Sequence, residues 1–265
     1  PVVGGGGDEI VFTGSGTESI KTVLHSLDRL AGKGKAAVSV IEHSAVLRFV
    51  GSRERGVMPL SVGADGRLDL TAFRAACAGA AYVSVMAANN EIGVIQPLAE
   101  VLAIAREHGL PVHTDAVQIV GKVPFDVRRE RVDMLSASAH KFHGPKGIGV
   151  LFVRQGLDFS PLLLGGGQEK GRRSGTENVA AIVATGEAAR LAKLALEEGV
   201  PERIREMRDS FEKAVIEGVA GCTQNGDPAN RLPNTSHLSF DGCDSSGLLI
   251  LLDEAGVACS AGSAC

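Results

Sequence analysis

The stretch SASAHKFHGPKGIG, residues 136–149, places a lysine where a predicted strand gives way to a glycine-rich turn. Lys141 follows the apolar run 132–137 and stands beside His140. An amine that forms a Schiff base with an aldehyde must be neutral for part of its cycle, and a lysine reaches that state when it is desolvated beside another cation. The stretch therefore indicates a Schiff-base lysine, although a single lysine in a turn is more often a surface residue.

Strands alternate with helices around this stretch. Strands are predicted at residues 9–13, 36–41, 82–87, 111–114, 134–138 and 149–153. Helices are predicted from 17 to about 29, and at 98–108, 178–198 and 201–217. Repeated βα units favour an α/β fold with a mainly parallel sheet covered by helices, and sites in such folds lie at the carboxyl ends of the strands.

Two further features expected of a pyridoxal phosphate (PLP) site occur upstream, namely an acid for the pyridine nitrogen and donors for the phosphate. Asp115 follows a short predicted strand, 26 residues before Lys141, which is room for one crossover between neighbouring parallel strands. Asp115 could equally cap the next helix. The sequence GSGTE, residues 14–18, lies between a strand and a helix, where free amides and the helix dipole favour an anion. This loop fits neither the dinucleotide fingerprint nor the Walker pattern.

Seven motifs spread over nearly the whole chain together resemble those of class I cysteine desulfurases. They are, in order, residues 12–19, 42–47, 89–93, 113–118, 138–149, 172–176 and 260–265. That family consists of fold-type I, class-V aminotransferase-like PLP enzymes that take sulfur from L-cysteine. The resemblance implies a large domain with a seven-stranded-type sheet over residues 1–197, and a partial α/β small domain over residues 198–265. The family also carries a further N-terminal segment and, after the last motif, an arginine for the substrate carboxylate, so both ends are expected to be short.

The resemblance also implies a role for each matching residue. Lys141 is expected to hold the cofactor, Asp115 to face its pyridine nitrogen, and His43 to stack on its ring and move protons, unless His43 merely begins a helix. The remaining cofactor contacts expected are Gln118 and Asn90 near the ring oxygen and substrate side, Gly16, Thr17, Ser138 and His140 at the phosphate, and Thr176 at the phosphate of the other subunit of a homodimer.

Cys265 ends the motif SAGSAC, and the matching cysteine of the family is the nucleophile that carries a persulfide. A nucleophilic cysteine acts as an accessible thiolate, and a mobile loop of small residues suits it better than a buried position does. Cys259, six residues earlier, is predicted to end a buried strand. The other cysteines show neither metal spacing nor a C-x-x-C pair, so we predict no metal site and a reducing, cytoplasmic compartment.

Composition excludes some classes of function. A formal net charge of −4, with no tryptophan and one tyrosine, offers nucleic acid neither a general attraction nor stacking platforms. No apolar run approaches the roughly 18 residues that a membrane span needs.

We therefore predict a PLP-dependent cysteine desulfurase that gives L-alanine and an enzyme persulfide. The sulfur acceptor would be a protein of iron–sulfur cluster assembly or of nucleic-acid thiolation. One alternative is another class-V PLP enzyme, such as an aminotransferase or a selenocysteine lyase. The other is a noncatalytic subunit that binds a sulfur-transfer partner.

Overall fold

A computed structural model describes residues 3–262, and its centre is a seven-stranded sheet. The strands are β1 (Ile10–Thr13), β2 (Lys35–Ser39), β3 (Val57–Leu60), β4 (Ala80–Ser84), β5 (Val112–Asp115), β6 (Met134–Ser138) and β7 (Gly149–Val153). Their spatial order is β1-β7-β6-β5-β4-β2-β3. The pairs between β3 and β6 are parallel, and β7 runs antiparallel to both of its neighbours. The predicted α/β fold with a mainly parallel sheet is confirmed.

All six predicted strands belong to this sheet, with ends that differ by up to three residues. The strand that the sequence prediction missed is β3, which lies at the sheet edge and contains Pro59. Proline cannot donate a hydrogen bond to a ladder and is tolerated on edge strands, so its presence argues against a central strand but not against this one. The missed strand is therefore explained by its edge position.

Helices cover both faces of the sheet. They are α1 (Gly16–Leu30), α2 (Ser44–Gly51), α3 (Leu70–Ala76), α4 (Leu98–Glu107), α5 (Val127–Glu130), α6 (Val179–Glu197), α7 (Val200–Gly218) and α8 (Ser245–Glu254). Apolar residues of α1 and α2 pack on one face, against Val38 and Leu151, and those of α3, α4 and α6 pack on the other, against Val83 and Phe152. Because strands covered on both faces alternate between two apolar cores, their sequences read as continuous apolar runs.

The chain after α6 adds α7, a two-stranded hairpin and α8. The hairpin joins β8 (Cys222–Gln224) to β9 (Leu238–Phe240). The boundary predicted between residues 197 and 198 falls at the junction of α6 and α7, and it stays a prediction. Cys259 does not end a buried strand: it is exposed and lies in irregular chain after α8, so that prediction is wrong. Small residues around it resemble a strand end in sequence, but no packing partner buries Cys259 among the described residues.

Within residues 3–262, no helix is both long and apolar enough to cross a membrane.

Candidate active site

An open cleft of about 1120 Å³ lies at the carboxyl ends of β1, β4, β5 and β6. Nine of the predicted site residues line it: Gly16, Thr17, His43, Asn90, Asp115, Gln118, Ser138, His140 and Lys141. They come from five separate segments of the chain, which the sheet brings together because parallel strands end at the same edge. Thr176 is exposed and does not line this cleft, and Cys265 lies outside the described residues.

The glycine-rich loop after β1 forms a cradle at the beginning of α1. Ser15 caps the helix by accepting a hydrogen bond from the amide of Glu18 at 3.1 Å, and Thr13 Oγ1 donates to the Ser15 carbonyl at 2.9 Å. Gly16 faces Ser138 so closely that a Cβ on Gly16 would lie 3.1 Å from the Cβ of Ser138. The cradle therefore keeps open a space that a side chain would narrow, and it presents the amino end of a 15-residue helix to that space.

Asp115 ends β5 and is almost completely buried. Its Oδ1 accepts a hydrogen bond from the amide of Val117 at 2.9 Å, inside a turn rather than at the start of a helix, so the helix-cap alternative does not apply. Burial raises the pKa of Asp115 to about 6, whereas the hydrogen bond from Val117 and the charge of Lys141 act in the opposite direction. A cation above this carboxyl group would compensate its desolvation.

Glu42 is a second buried carboxyl group near Asp115, and sequence reasoning gave it no role. Its Oε1 accepts a hydrogen bond from the amide of Met86, while its Oε2 is buried without a hydrogen-bond partner among the described residues. Burial is the main cause that raises the pKa of Glu42 well above its ordinary value, and the negative charge of Asp115 adds to it. Burial and the charge of Asp115 thus both favour the protonated form of Glu42.

His43 begins α2, as the alternative interpretation held, and it also lines the cleft. Its Nδ1 accepts a hydrogen bond from the amide of Ala45 at 3.1 Å. A nitrogen that accepts carries no proton, so the proton of the neutral ring lies on Nε2. Burial, followed by the charge of Lys141, lowers the pKa of His43. The capping bond thus fixes the tautomer that points its N–H away from the helix.

Lys141 lies in a short 3₁₀ turn, Ala139–Phe142, directly after β6. Phe142 is buried and anchors this turn, while Lys141 is half-buried and faces the cleft. His140 is exposed, and its Nδ1 lies 2.9 Å from Ser138 Oγ. The turn therefore holds a flexible amine at the centre of the cleft on a rigid base.

A buried polar row crosses the sheet beneath Asp115. His113 lies two residues before Asp115 on the same face of β5, and its ring nitrogens lie 2.9 Å from Ser84 Oγ and 3.0 Å from Ser136 Oγ. Burial lowers the pKa of His113 to about 3, so the ring is neutral. Both ring nitrogens have a partner, so these hydrogen bonds link β4, β5 and β6 directly beneath the cleft.

The segment that contains Thr176 is joined to the cradle by an ion pair. Arg173 Nε donates to Glu18 Oε1 at 2.8 Å, and Glu18 Oε2 accepts from the amide of Gly14 at 2.8 Å. Thr176 itself is exposed on the outside of this connection. Its side chain is thus available to another molecule rather than to the cleft of its own chain.

The cleft also contains residues that the motifs did not single out. Among them are Lys122, four residues after Gln118, the segment Pro233, Asn234, Thr235, Ser236 and His237, and the exposed Cys259. Spacing alone could have found Lys122, since residues four apart on a helical turn face the same side. The other segments reach the cleft only through the tertiary fold.

Comparison with known proteins gives consistent results. Residues 2–265 match the family described as aminotransferase class-V. A cysteine desulfurase of Gluconacetobacter diazotrophicus is 45% identical over 263 residues, which cover 97% of this chain and 66% of that relative. A solved "NIFS-like protein" aligns with a TM-score of 0.89 at 36% identity, over 97% of this chain and 72% of that one. The structure of "SspA in complex with cysteine" aligns with a TM-score of 0.79 at 32% identity, over 97% and 73% of the two chains. The chain thus spans about two thirds of the length of the first of these relatives.

Proposed function

The chain belongs to the class-V aminotransferase family, and we propose that it is a PLP-dependent cysteine desulfurase like the relatives it resembles. The observation that carries the proposal is a single cleft that combines Lys141, the buried Asp115 and the amino end of α1. The reaction would convert L-cysteine into L-alanine and leave the sulfur on an enzyme cysteine.

The residues of the cleft fit PLP. Gly16 leaves room for a phosphate beside the free amides of α1, and Ser138 Oγ lies at the same place. Asp115 is a buried carboxyl group that gains from a protonated ring nitrogen above it. Lys141 supplies the amine and His43 a flat ring at the cleft wall. When bound, PLP would act as an electron sink for carbanion chemistry at the substrate.

The side chains of the cleft would have separate roles in proton transfer and in binding. Asp115 would hold a proton on the ring nitrogen, because its own charge is otherwise uncompensated in the buried environment. The amine of Lys141, once released by the substrate, would take the proton from the Cα atom of L-cysteine. His43, with its proton on Nε2, would donate to the substrate rather than accept from it. Asn90 and Gln118 would bind the ring oxygen of PLP and hold the substrate side of the cofactor.

The sulfur step is assigned to Cys265, which lies outside the described residues, on the resemblance of its motif alone. Its thiolate would form an S–S bond with the substrate sulfur while the Cβ–S bond of the substrate breaks. The electron pair of that bond stays on carbon, which then takes a proton to give L-alanine. One thiol and one cysteine thus yield one persulfide and one alanine, without an external oxidant.

The experiment measures alanine and protein persulfide from L-cysteine, with the persulfide site mapped by mass spectrometry. Lys141→Ala is expected to abolish alanine formation. Cys265→Ala is expected to keep the colour of the bound cofactor and lose the persulfide. Cys259→Ala is the matched control, because Cys259 is an exposed thiol of the same cleft and is expected to be dispensable. Normal turnover in Cys265→Ala, or a persulfide on Cys259 alone, would refute the assignment.

The proposal extends to assembly and partners. A homodimer would bring the exposed Thr176 of one subunit to the phosphate cradle of the other. The sulfur acceptor would be a protein, either an iron–sulfur scaffold or a thiolation protein, since persulfide transfer needs contact between two cysteines. A cytoplasmic, reducing location suits the four free cysteines among the described residues. Residues 1–197 would form the cofactor-binding domain, and residues 198–265 part of a second one.

A further inference from the structure

The turn after β5 holds two polar side chains on one side. Gln118 and Lys122 both face the cleft, whereas Ile119 and Val120 between them are buried. Gly121 completes the turn with φ +77°, and a Cβ there would lie 3.0 Å from the Cβ of Phe142. The turn therefore packs tightly on the base that carries Lys141, and it holds Gln118 and Lys122 in fixed positions.

Lys122 and Gln118 are joined by a hydrogen bond whose direction is unambiguous. Lys122 Nζ donates to Gln118 Oε1 at 2.8 Å. A lysine ammonium group can only donate, so it must meet the oxygen and not the nitrogen of the amide. The amide of Gln118 consequently has its NH₂ group left for other partners, and the flipped orientation would place NH₂ against the ammonium group.

We infer that Lys122 is a positioning residue that fixes Gln118 as a hydrogen-bond donor toward an anionic oxygen in the cleft. The inference rests on the proposed function, in which that oxygen belongs to the ring of PLP. Without Lys122, Gln118 could present either its oxygen or its nitrogen, and one of these orientations would repel the oxygen. With Lys122 in place, the favourable orientation exists before the cofactor binds.

Lys122 remains a hydrogen-bond donor at neutral pH, although its environment favours the neutral amine. Burial lowers the pKa of Lys122 to about 8, and the charge of Lys141 contributes further to this shift. The ammonium form still predominates at pH 7. Lys141, from the turn after β6, is the charged group whose field reaches Lys122.

The test follows the visible absorbance of bound PLP between pH 6 and 10, with no cysteine present. Lys122→Met removes both donor and charge and is expected to raise the pKa of the absorbance change by about one unit. Lys122→Arg keeps both and is expected to titrate like the wild type. In a Gln118→Ala background, Lys122→Met is expected to cause a much smaller shift, because the residue through which Lys122 acts is gone.

Lys193→Met serves as the control, since Lys193 is an exposed lysine of α6, and no shift is expected. Circular dichroism and cofactor content verify that each variant is folded and loaded. An unshifted titration in a folded Lys122→Met protein overturns the inference, as does an equal shift with and without Gln118. If the wild type turns over cysteine and Lys122→Met titrates normally, only this inference fails. If the wild type binds no PLP, the proposed function fails as well.

Discussion

Asp115 and Glu42 show how two carboxyl groups acquire different protonation states from their surroundings. Both are buried and each accepts a backbone hydrogen bond, but Asp115 also feels the charge of Lys141, whereas the second oxygen of Glu42 has no hydrogen-bond partner among the described residues. Burial raises the pKa of both groups, and the mutual repulsion favours one proton on the pair. The fold thus retains a destabilising charge at the place where the proposed cofactor would compensate it.

The first prediction concerns Asp115→Asn in the cofactor-free protein. Because the folded pKa of Asp115 is about 6 and its ordinary value is 3.8, folding favours the protonated form, and wild-type stability falls as the pH rises from 4 through 6. The variant is therefore expected to equal the wild type below pH 4 and to exceed it by about 3 kcal/mol in free energy of unfolding above pH 7.

Urea unfolding at several pH values measures this difference. Asp126→Asn is the control, because Asp126 is exposed and hydrogen bonds from the amides of Arg129 and Arg128 lower its pKa, so this variant gains no stability at high pH. A difference for Asp115→Asn that does not depend on pH would contradict the shifted pKa. The variant is also expected to bind PLP weakly, which would make the destabilisation a cost of function.

The second prediction separates the charge of Glu42 from its hydrogen bond. Glu42→Gln keeps an oxygen for the amide of Met86 and is expected to unfold at pH 7 with a free energy equal to or above that of the wild type. Glu42→Ala leaves that amide unsatisfied and is expected to lose about 1 to 3 kcal/mol. Denaturant unfolding of the two variants side by side is the measurement. Equal losses in both would mean that Glu42 is ionised in the folded protein.

The sequence alone predicts some features of the candidate site and not others. Lys141, Asp115 and the loop at Gly16 could be predicted because each lies at the end of an apolar run in a recognisable motif. The raised pKa of Glu42 and the hydrogen bond between Lys122 and Gln118 could not be predicted, because they depend on burial and on atom positions.

At the scale of elements, the amino end of α1 is the part of the cleft that the fold defines most tightly. The cap at Ser15 and the close approach of Gly16 to Ser138 fix where the helix begins. Arg173 adds a long-range ion pair to the same end through Glu18. An anion placed there would meet amides that are already oriented, so little ordering would remain to oppose its binding.

The third prediction compares two glycine-to-alanine changes in helices. At Gly16 a Cβ would lie 3.1 Å from Ser138 Cβ and 3.4 Å from Val117 Cγ2, so Gly16→Ala is expected to weaken PLP binding by about tenfold, equivalent to about 1.4 kcal/mol. At Gly186, in the exposed middle of α6, nothing lies within 4 Å, and Gly186→Ala is expected to add about 1 kcal/mol of stability with unchanged PLP affinity. Cofactor titration and thermal unfolding of both variants provide the comparison. Unchanged PLP affinity in Gly16→Ala would show that the cradle does not hold the phosphate.

Some strands and helices could be predicted from the sequence and others could not, for physical reasons. Continuous apolar runs predict the central strands, and capping residues together with the helical spacing of apolar residues predict the amphipathic helices. The direction of β7 is not visible in its residues, because an antiparallel strand covered on both faces looks like its parallel neighbours. The residues around Cys259 are equally uninformative, since burial there depends on what packs against them rather than on local pattern.

At the scale of the whole molecule, hydrogen bonds join segments that lie far apart in the chain. The amide of Leu232 donates to the carbonyl of Gly93 at 2.8 Å, and that of Ile95 to the carbonyl of Asn230 at 2.8 Å. Arg231, between these bonds, forms a bidentate pair with Glu212 of α7, and both side chains are buried. The two backbone hydrogen bonds cross the boundary predicted at residue 197, and the ion pair attaches α7 to the segment that makes them.

The fourth prediction uses this pair to test how strongly the fold depends on the attachment of α7 to residues 230–232. A buried ion pair that loses one member leaves an uncompensated charge, so Arg231→Met and Glu212→Leu are each expected to cost about 3 to 5 kcal/mol. The double variant is expected to recover most of that loss, because it removes both charges together.

Urea unfolding of all four proteins gives the coupling energy of the pair. The matched control is the exposed pair Lys193 and Glu197, which is expected to couple by no more than about 0.5 kcal/mol. If the single Arg231 and Glu212 variants cost no more than the control, α7 is held by its other contacts, which include the hydrogen bond from Arg208 to the carbonyl of Leu232. If they instead split unfolding into two transitions, the pair is what makes the sheet and the segment after residue 197 unfold as one unit.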